Sequence, residues 1–319
     1  MTVSTRQRFW NRFSRWVEKP LIAAVRSQPL LRRVAALHAR LFYHRPPDLR
    51  VEPDRLTQGG HTVPGWWCHR GRSRLPAVLL FLHGGAYTVG GPASHAHWAG
   101  ALADASGMRA FLPEYRLAPE HPFPAALDDA ETVYRALLTQ LPTGHRIVLA
   151  GDSAGGGLVF ALMARLQAAG LPDPLAVVAF SPWLDLTLSG DSVQRHRASE
   201  MMLPLSWLQH AARLYTSRAP GGCANPLVSP LFHTYRRALP PTLMLCGAEE
   251  LLSDDSVRMA QRLRTGGTRV SLLLQPGVGH IWPVHAGLTP EADAANDRVA
   301  AFLRAELARA HTPAPEPAS

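Results

Sequence analysis

Short apolar runs recur along the chain, separated by longer amphipathic stretches. Pro76-Ala77-Val78-Leu79-Leu80-Phe81-Leu82 and Arg146-Ile147-Val148-Leu149-Ala150 carry apolar residues without the alternation of a half-wet strand. Runs of that length and composition suit strands buried on both faces. The pattern predicts strands over 62–70, 76–82, 108–113, 146–150, 175–180, 242–247 and 269–274. It predicts helices over 93–106, 124–140, 154–169, 254–266 and 291–310. Strands alternating with helices argue for a mostly parallel sheet covered by helices on both faces, an α/β architecture. The stretch 185–230 breaks this alternation and reads as helical insertion material. Together with residues 1–50 it is expected to form a helical cap over the strand ends, leaving 51–310 as the main domain. The end of the chain, 311–319, with Pro313, Pro315 and Pro317, is expected to be a disordered tail.

The front of the chain has a different pattern. Phe9, Trp10, Phe13, Trp16 and Val17 fall at helical spacing, with Arg6, Arg8, Arg12, Arg15 and Lys19 between them. Residues 1–50 hold 11 Lys+Arg against two acids, Glu18 and Asp48, a net of +9. The whole chain is also +9, so residues 51–319 sum to zero. That distribution is a neutral body with a basic front end, which argues against a nucleic-acid-coating protein. Amphipathic stripes are in most cases packing faces. The segment is therefore expected to be a cap helix whose aromatic stripe packs over the cleft; the other reading is peripheral contact of residues 1–20 with an anionic membrane surface.

Composition adds bounds. At 319 residues, 46% hydrophobic and 18% charged, the chain can build a large core. Cys68, Cys223 and Cys246 are far apart, with neither metal spacing nor an even-numbered disulfide framework. A reducing compartment, and so a cytoplasmic protein, is the expectation. No apolar run is long enough for a transmembrane helix, and the N-terminus lacks the pattern of a signal peptide.

Two motifs carry chemistry. Gly151-Asp152-Ser153-Ala154-Gly155 has the Gly-x-Ser-x-Gly form of a nucleophile elbow, and it lies between a predicted strand and a predicted helix, as that motif requires. His83-Gly84-Gly85-Ala86-Tyr87 follows the strand ending at Leu82 and suits a glycine-rich loop that points backbone N–H groups at a developing oxyanion. A nucleophilic serine needs a base, and the base needs an orienting acid. His280, in Pro276-Gly277-Val278-Gly279-His280, stands in a loop after a strand; His285 is the other candidate. The acid should follow the strand ending at Gly247. Glu249 and Glu250 sit in that loop, whereas Asp254 and Asp255 look like first-turn residues that cap the next helix.

Together with Tyr115-Arg116-Leu117-Ala118-Pro119-Glu120-His121-Pro122-Phe123-Pro124-Ala125-Ala126, these motifs resemble those of the hormone-sensitive-lipase-like family of bacterial esterases, family IV of the carboxylesterases. The similarity runs through Ser181-Pro182-Trp183-Leu184-Asp185-Leu186-Thr187 to His280, roughly residues 60–305. It implies an α/β-hydrolase fold with an eight-stranded sheet and a helical cap, hydrolysing short- to medium-chain carboxylic esters. Carried over by position, Ser153 is the nucleophile and His280 the base. The family's Asp-Pro-Leu-x-Asp pattern falls on Glu250-Leu251-Leu252-Ser253-Asp254, so Glu250 takes the acid's place although it is not aspartate and the proline is missing. The oxyanion donors implied are the N–H groups of Gly84, Gly85 and Ala154. His83, Asp152, Tyr115, Arg116 and Glu120 are expected to hold loops in shape.

On this reading the partner is a small-molecule ester, no metal or organic cofactor is required, and the assembly is a monomer or homodimer. Amidase or formamidase chemistry would use the same triad. A non-catalytic ligand receptor on this fold, like the plant gibberellin receptor, would lack the histidine that His280 supplies. Phe13, Trp16, Met201, Met202 and Trp207 are candidates to line the cleft.

Overall fold

In the computed structural model, which describes residues 3–25, 27–43, 46–71 and 75–311, the chain opens with helix α1 (Thr5–Phe13), a π-helical turn (Ser14–Glu18) and α2 (Lys19–Ala24). In the π turn the Lys19 N–H bonds the Ser14 carbonyl, five residues back instead of four. Helix α3 (Gln28–Phe42) follows, capped at its start by the Ser27 hydroxyl. Then come β1 (Arg50–Gln58), β2 (His61–His69), β3 (Ala77–Leu82), α4 (Pro92–Ala105), β4 (Arg109–Pro113), α5 (Ala125–Gln140), β5 (Arg146–Asp152), α6 (Ala154–Ala168) and β6 (Ala176–Phe180). Two short helices, α7 (Ser192–Arg195) and α8 (Leu205–Tyr215), precede β7 (Thr242–Gly247), α9 (Ser253–Thr265), β8 (Val270–Gln275) and α10 (Pro290–His311). The tail expected over 311–319 lies outside the described residues from 312 on.

Among the described residues eight strands make one sheet in the order β1-β2-β4-β3-β5-β6-β7-β8. β2 pairs antiparallel with β1 and β4, and the remaining pairings are parallel. All six residues of β3 are buried, and they alternate between two cores. Val78, Leu80 and Leu82 join the side chains of α5, α6 and α9 on one face, while Leu79 and Phe81 meet Trp98 and Leu102 of α4 and Val299 and Leu303 of α10 on the other. Burial on both faces is why these strands read as unbroken apolar runs.

The seven strands predicted from the pattern and the five predicted helices are present with ends shifted by at most two residues. β1 was not predicted. It is an edge strand whose sequence, RVEPDRLTQ, buries only Leu56 and carries Pro53 and three charged residues besides Arg50. Charges and proline blunt an edge against further pairing, and they also erase the apolar signal.

The register aligns the strand ends that matter. Leu82 of β3 pairs with Gly151 of β5, Asp152 with Phe180 of β6, and Gly247 of β7 with Gln275 of β8. The segments after these residues therefore emerge at one edge. The connection from β3 leads to β4 on one side of the sheet, and β5 leads to β6 on the other. The chain thus switches direction between β3 and β5, where open parallel sheets leave a crevice. No described helix is long and apolar enough to cross a membrane.

Candidate active site

Ser153 stands at the β5–α6 junction with φ 52° and ψ −122°, a backbone strained for a residue with a Cβ. The turn closes only because its neighbours are small. A Cβ on Gly155 would come within 2.0 Å of the Leu82 carbonyl oxygen, so nothing larger than glycine fits between the elbow and β3. The strain and the packing together hold the serine at the mouth of the crevice.

His280 lies in the loop after β8. Its Nδ1 is 2.5 Å from Glu250 Oε2, and both side chains are buried. The other Glu250 oxygen accepts the Ser181 hydroxyl at 2.7 Å, the Gly247 N–H at 2.5 Å and the Cys246 thiol at 3.1 Å. Burial favours the neutral carboxyl, but the His280 charge and the hydrogen bonds from His280, Ser181 and Cys246 outweigh it, holding Glu250 below its usual range. Burial likewise opposes the imidazolium, and the Glu250 carboxylate reverses this, raising the pKa of His280 above its ordinary value. His280 Nε2 is buried with no hydrogen-bond partner among the described residues, and His280 and Ser153 line the same cleft. In unliganded sites the base–nucleophile contact is commonly long and tightens on substrate.

The other acidic candidates are engaged elsewhere. Glu249 accepts the Gly277 N–H at 2.9 Å and so braces the loop that carries His280. Asp254 and Asp255 do lie in the first turn of α9, but neither caps it, since the position before the helix is Leu252 with no side-chain cap. Asp254 instead accepts the Ser192 N–H and pairs with Arg195. Asp255, buried, accepts the N–H groups of Leu184 and Asp185; burial pushes its pKa up to about 8, with the nearby Asp185 charge adding to the rise against the pull of the two N–H bonds. His285 is neither on the surface nor beside Glu250. It is buried under the Trp10 ring at 4.6 Å, and burial lowers its pKa to about 4.

The glycine-rich loop corrects one expectation. The Gly84 N–H is bonded to Asp152 Oδ1 at 2.8 Å, so it is not available to an oxyanion. Gly84 is small for another reason: a Cβ there would lie 2.1 Å from Asp152 Oδ2. The N–H groups of Gly85, Ala86 and Ala154 have no acceptor among the described residues. His83 holds the loop. Its Nδ1 is 2.8 Å from the Gly84 carbonyl, its ring stacks on Tyr115 at 4.1 Å, and the Tyr115 hydroxyl donates to its carbonyl. Burial, reinforced by the neighbouring His95, lowers the His83 pKa to about 3, so the ring is neutral. Arg116 is tied to Asp129 of α5, and Glu120 to Arg32 of α3.

Above the serine is a cleft of about 170 Å³ walled by Leu21, Ile22, Leu31, Val34, Leu203 and Trp207. Of the side chains expected there, Met202 and Trp207 line it, while Phe13, Trp16 and Met201 do not. The first helical segment meets the interior through Gln7, Trp10, Ser14 and Glu18; Phe9 and Trp16 are exposed, and Phe13 is half-buried against Phe42 of α3. Among the described residues no cluster of three metal-ligating side chains is present.

A family model described as the alpha/beta hydrolase fold matches residues 79–284, well over half of the chain. The chain is 38% identical to an acetyl-hydrolase of Streptomyces hygroscopicus over 83% of its own length and 88% of the relative's. The crystal structure of an esterase from the bacterial hormone-sensitive lipase family superposes with a TM-score of 0.86 at 32% identity, covering 96% of this chain and all of that one. The chain belongs to the hormone-sensitive-lipase-like α/β-hydrolases. It is also 33% identical to an ethyl acetate hydrolase of Pseudomonas putida, over 77% of this chain and 80% of that protein. Within the family frame, three contributors escaped the sequence reading. Ser181, at φ 42°, donates to Glu250. Glu200, buried, accepts the N–H groups of Met202, Leu203 and Leu251, tying its own segment to the loop that carries Glu250. Glu18 faces His38 across 3.0 Å at the cleft. Only Ser181 carried a signal, as the residue directly after a predicted strand.

Proposed function

We propose that this carboxylic ester hydrolase cleaves short- to medium-chain esters through Ser153, His280 and Glu250 by way of an acyl-enzyme. The observation that carries the reading is that His280, paired with buried Glu250, lines the same apolar cleft as the strained Ser153. Ser153 Oγ attacks the ester carbonyl carbon while His280 Nε2 takes its proton. The oxyanion accepts from the N–H groups of Gly85, Ala86 and Ala154, donors that cost no reorganisation because the loop and elbow already hold them. The imidazolium, stabilised by Glu250, passes its proton to the departing alkoxide, leaving an acyl-Ser153 ester and free alcohol. Water then loses a proton to His280 as it attacks the acyl carbon. The acid leaves, and Ser153 regains its proton.

Residues 1–50 and 185–230 act as a cap in this scheme, since Leu21, Ile22 and Leu31 from the first and Leu203 and Trp207 from the second wall the cleft. A cavity of about 150 Å³ holds a molecule the size of benzene, which supports preference for the short end of the acyl range. The relatives named acetyl-hydrolase and ethyl acetate hydrolase point the same way. A series of p-nitrophenyl esters from acetate to decanoate, run beside an acetanilide, tests the reading. Hydrolysis should be greatest for the shorter esters and absent in Ser153→Ala and His280→Ala. Substantial turnover by purified Ser153→Ala, or faster cleavage of the anilide, would refute it.

A further inference from the structure

Among the described residues eleven large hydrophobic side chains are exposed, and eight of these fall between Phe9 and Phe42. Trp16 is 74% exposed, Leu41 65% and Phe9 61%. From α1 to α2 the exposed set is Phe9, Trp16, Val17 and Leu21, while Trp10 and Ser14 are buried. On α3, Leu30, Leu37 and Leu41 share a helical stripe with Arg33 and Arg40, all exposed. Ring contacts join the two helices: Trp10 to Phe42 at 6.4 Å and Phe13 to Phe42 at 5.2 Å, with Phe9 stacked on Phe13 at 6.3 Å within α1. The result is one apolar surface across two neighbouring helices, where a water-facing surface would ordinarily be polar.

Its charge decides the partner. Arg6, Arg12, Arg33 and Arg40 are exposed and have no acidic partner among the described residues. The two acids of this segment do not offset them, because Glu18 is buried beside His38 and Asp48 pairs with Arg70. A second copy of the chain would set this cationic face against itself across a twofold axis. Aromatic and leucine side chains interleaved with unpaired arginines suit the boundary between anionic headgroups and acyl chains.

We propose that the outer faces of α1–α2 and α3 dock on an anionic lipid surface, which sets the cleft mouth against the bilayer. Leu21 belongs both to the exposed face and to the cleft wall, so the docked surface and the entrance to Ser153 are continuous. Esters dissolved in the bilayer then reach the cleft without crossing bulk water. This goes beyond the proposed hydrolysis, which needs no membrane.

Co-sedimentation of the full chain with vesicles tests it, using phosphatidylcholine alone and phosphatidylcholine containing about one-third phosphatidylglycerol, a fraction chosen to give a strongly negative surface. Binding is expected to the anionic vesicles only, and to weaken at higher salt. The variant Arg12→Gln/Arg33→Gln/Arg40→Gln should bind on the order of 100-fold more weakly, from about fivefold per basic residue. Trp16→Glu/Leu37→Glu should not bind, and both variants should retain wild-type kcat/KM on soluble p-nitrophenyl acetate, since none of these residues lines the cleft. The proposal is overturned if wild type ignores anionic vesicles or if the variants bind as wild type does. It is also overturned if sedimentation velocity shows a dimer that Trp16→Glu/Leu37→Glu disperses.

Discussion

Replacing Glu250 by glutamine changes one atom and reverses one hydrogen bond. In the wild type Oε1 collects the Gly247 N–H and the Ser181 hydroxyl, and Oε2 faces His280 Nδ1 at 2.5 Å. The glutamine oxygen must take the Oε1 position to satisfy those two buried donors. The amide NH2 then faces Nδ1, which has to present its lone pair, and the imidazole proton moves to Nε2. In that tautomer His280 cannot accept a proton from Ser153. Flipping the amide would restore the right tautomer but would turn NH2 towards Gly247 N–H and Ser181. Two buried donors left unmade cost about 1–3 kcal/mol each, and a total of about 2–6 kcal/mol corresponds to roughly 30- to 10⁴-fold at 1.36 kcal/mol per tenfold. The upper end matches the loss of about 10⁴ known for a wrong-tautomer triad. We therefore expect kcat for p-nitrophenyl acetate to fall at least about 30-fold in Glu250→Gln, with the circular dichroism spectrum unchanged. The acid limb of kcat/KM should also move to lower pH. His280 must be unprotonated to act as base, and removing the carboxylate removes what raises its pKa. A loss below about tenfold in a folded variant would refute the tautomer argument. So would a larger loss in Asp254→Asn.

Other perturbations follow from the same geometry. Asp255→Asn should become progressively more stable than wild type as pH rises: a carboxyl whose folded pKa is raised from 3.8 to about 8 contributes stability that is lost between those values, and asparagine can still accept from Leu184 and Asp185. Thermal melts at pH 5 and pH 9 check it, and a constant difference in Tm would count against the buried neutral acid. Gly84→Ala should lose about 1–3 kcal/mol and most activity, because its Cβ would lie 2.1 Å from Asp152 Oδ2; urea titration and ester hydrolysis read the two losses. Ile22→Trp, at a half-buried position of the cleft wall, should leave stability nearly unchanged while lowering hydrolysis of octanoate relative to acetate; an unchanged ratio would place the acyl chain elsewhere.

The motifs exposed the strand ends and the residues on them because each follows an apolar run or sits between glycines, and these are local features. What the motifs could not show was which groups were already taken. Gly84 and Gly85 are adjacent glycines in one loop, yet only the three-dimensional meeting with Asp152 commits the Gly84 N–H. The first helix misled in a similar way. Its aromatic stripe was visible, but the face turned inward is Gln7, Trp10, Ser14 and Glu18, three of them polar, which no hydrophobic periodicity would select. Edge strand β1 was hidden by its charges and Pro53. Glu200 and Asp255 act on backbone N–H groups supplied by distant loops, so their sequence neighbours held no sign of it.

The π turn at Ser14–Glu18 makes the first helix tolerant of a change in length. A ring closed five residues back holds one residue more than an α-helical ring. Deleting Arg15, Trp16 or Val17 would let the backbone close as ordinary α-helix, with Trp10 before the turn and Ile22 after it still on their present faces. The same deletion within α2 would rotate everything downstream by about 100° and carry Ile22 off the cleft wall. Evolution thus has one position in this segment where the chain can lose a residue without rebuilding the entrance to the enzyme.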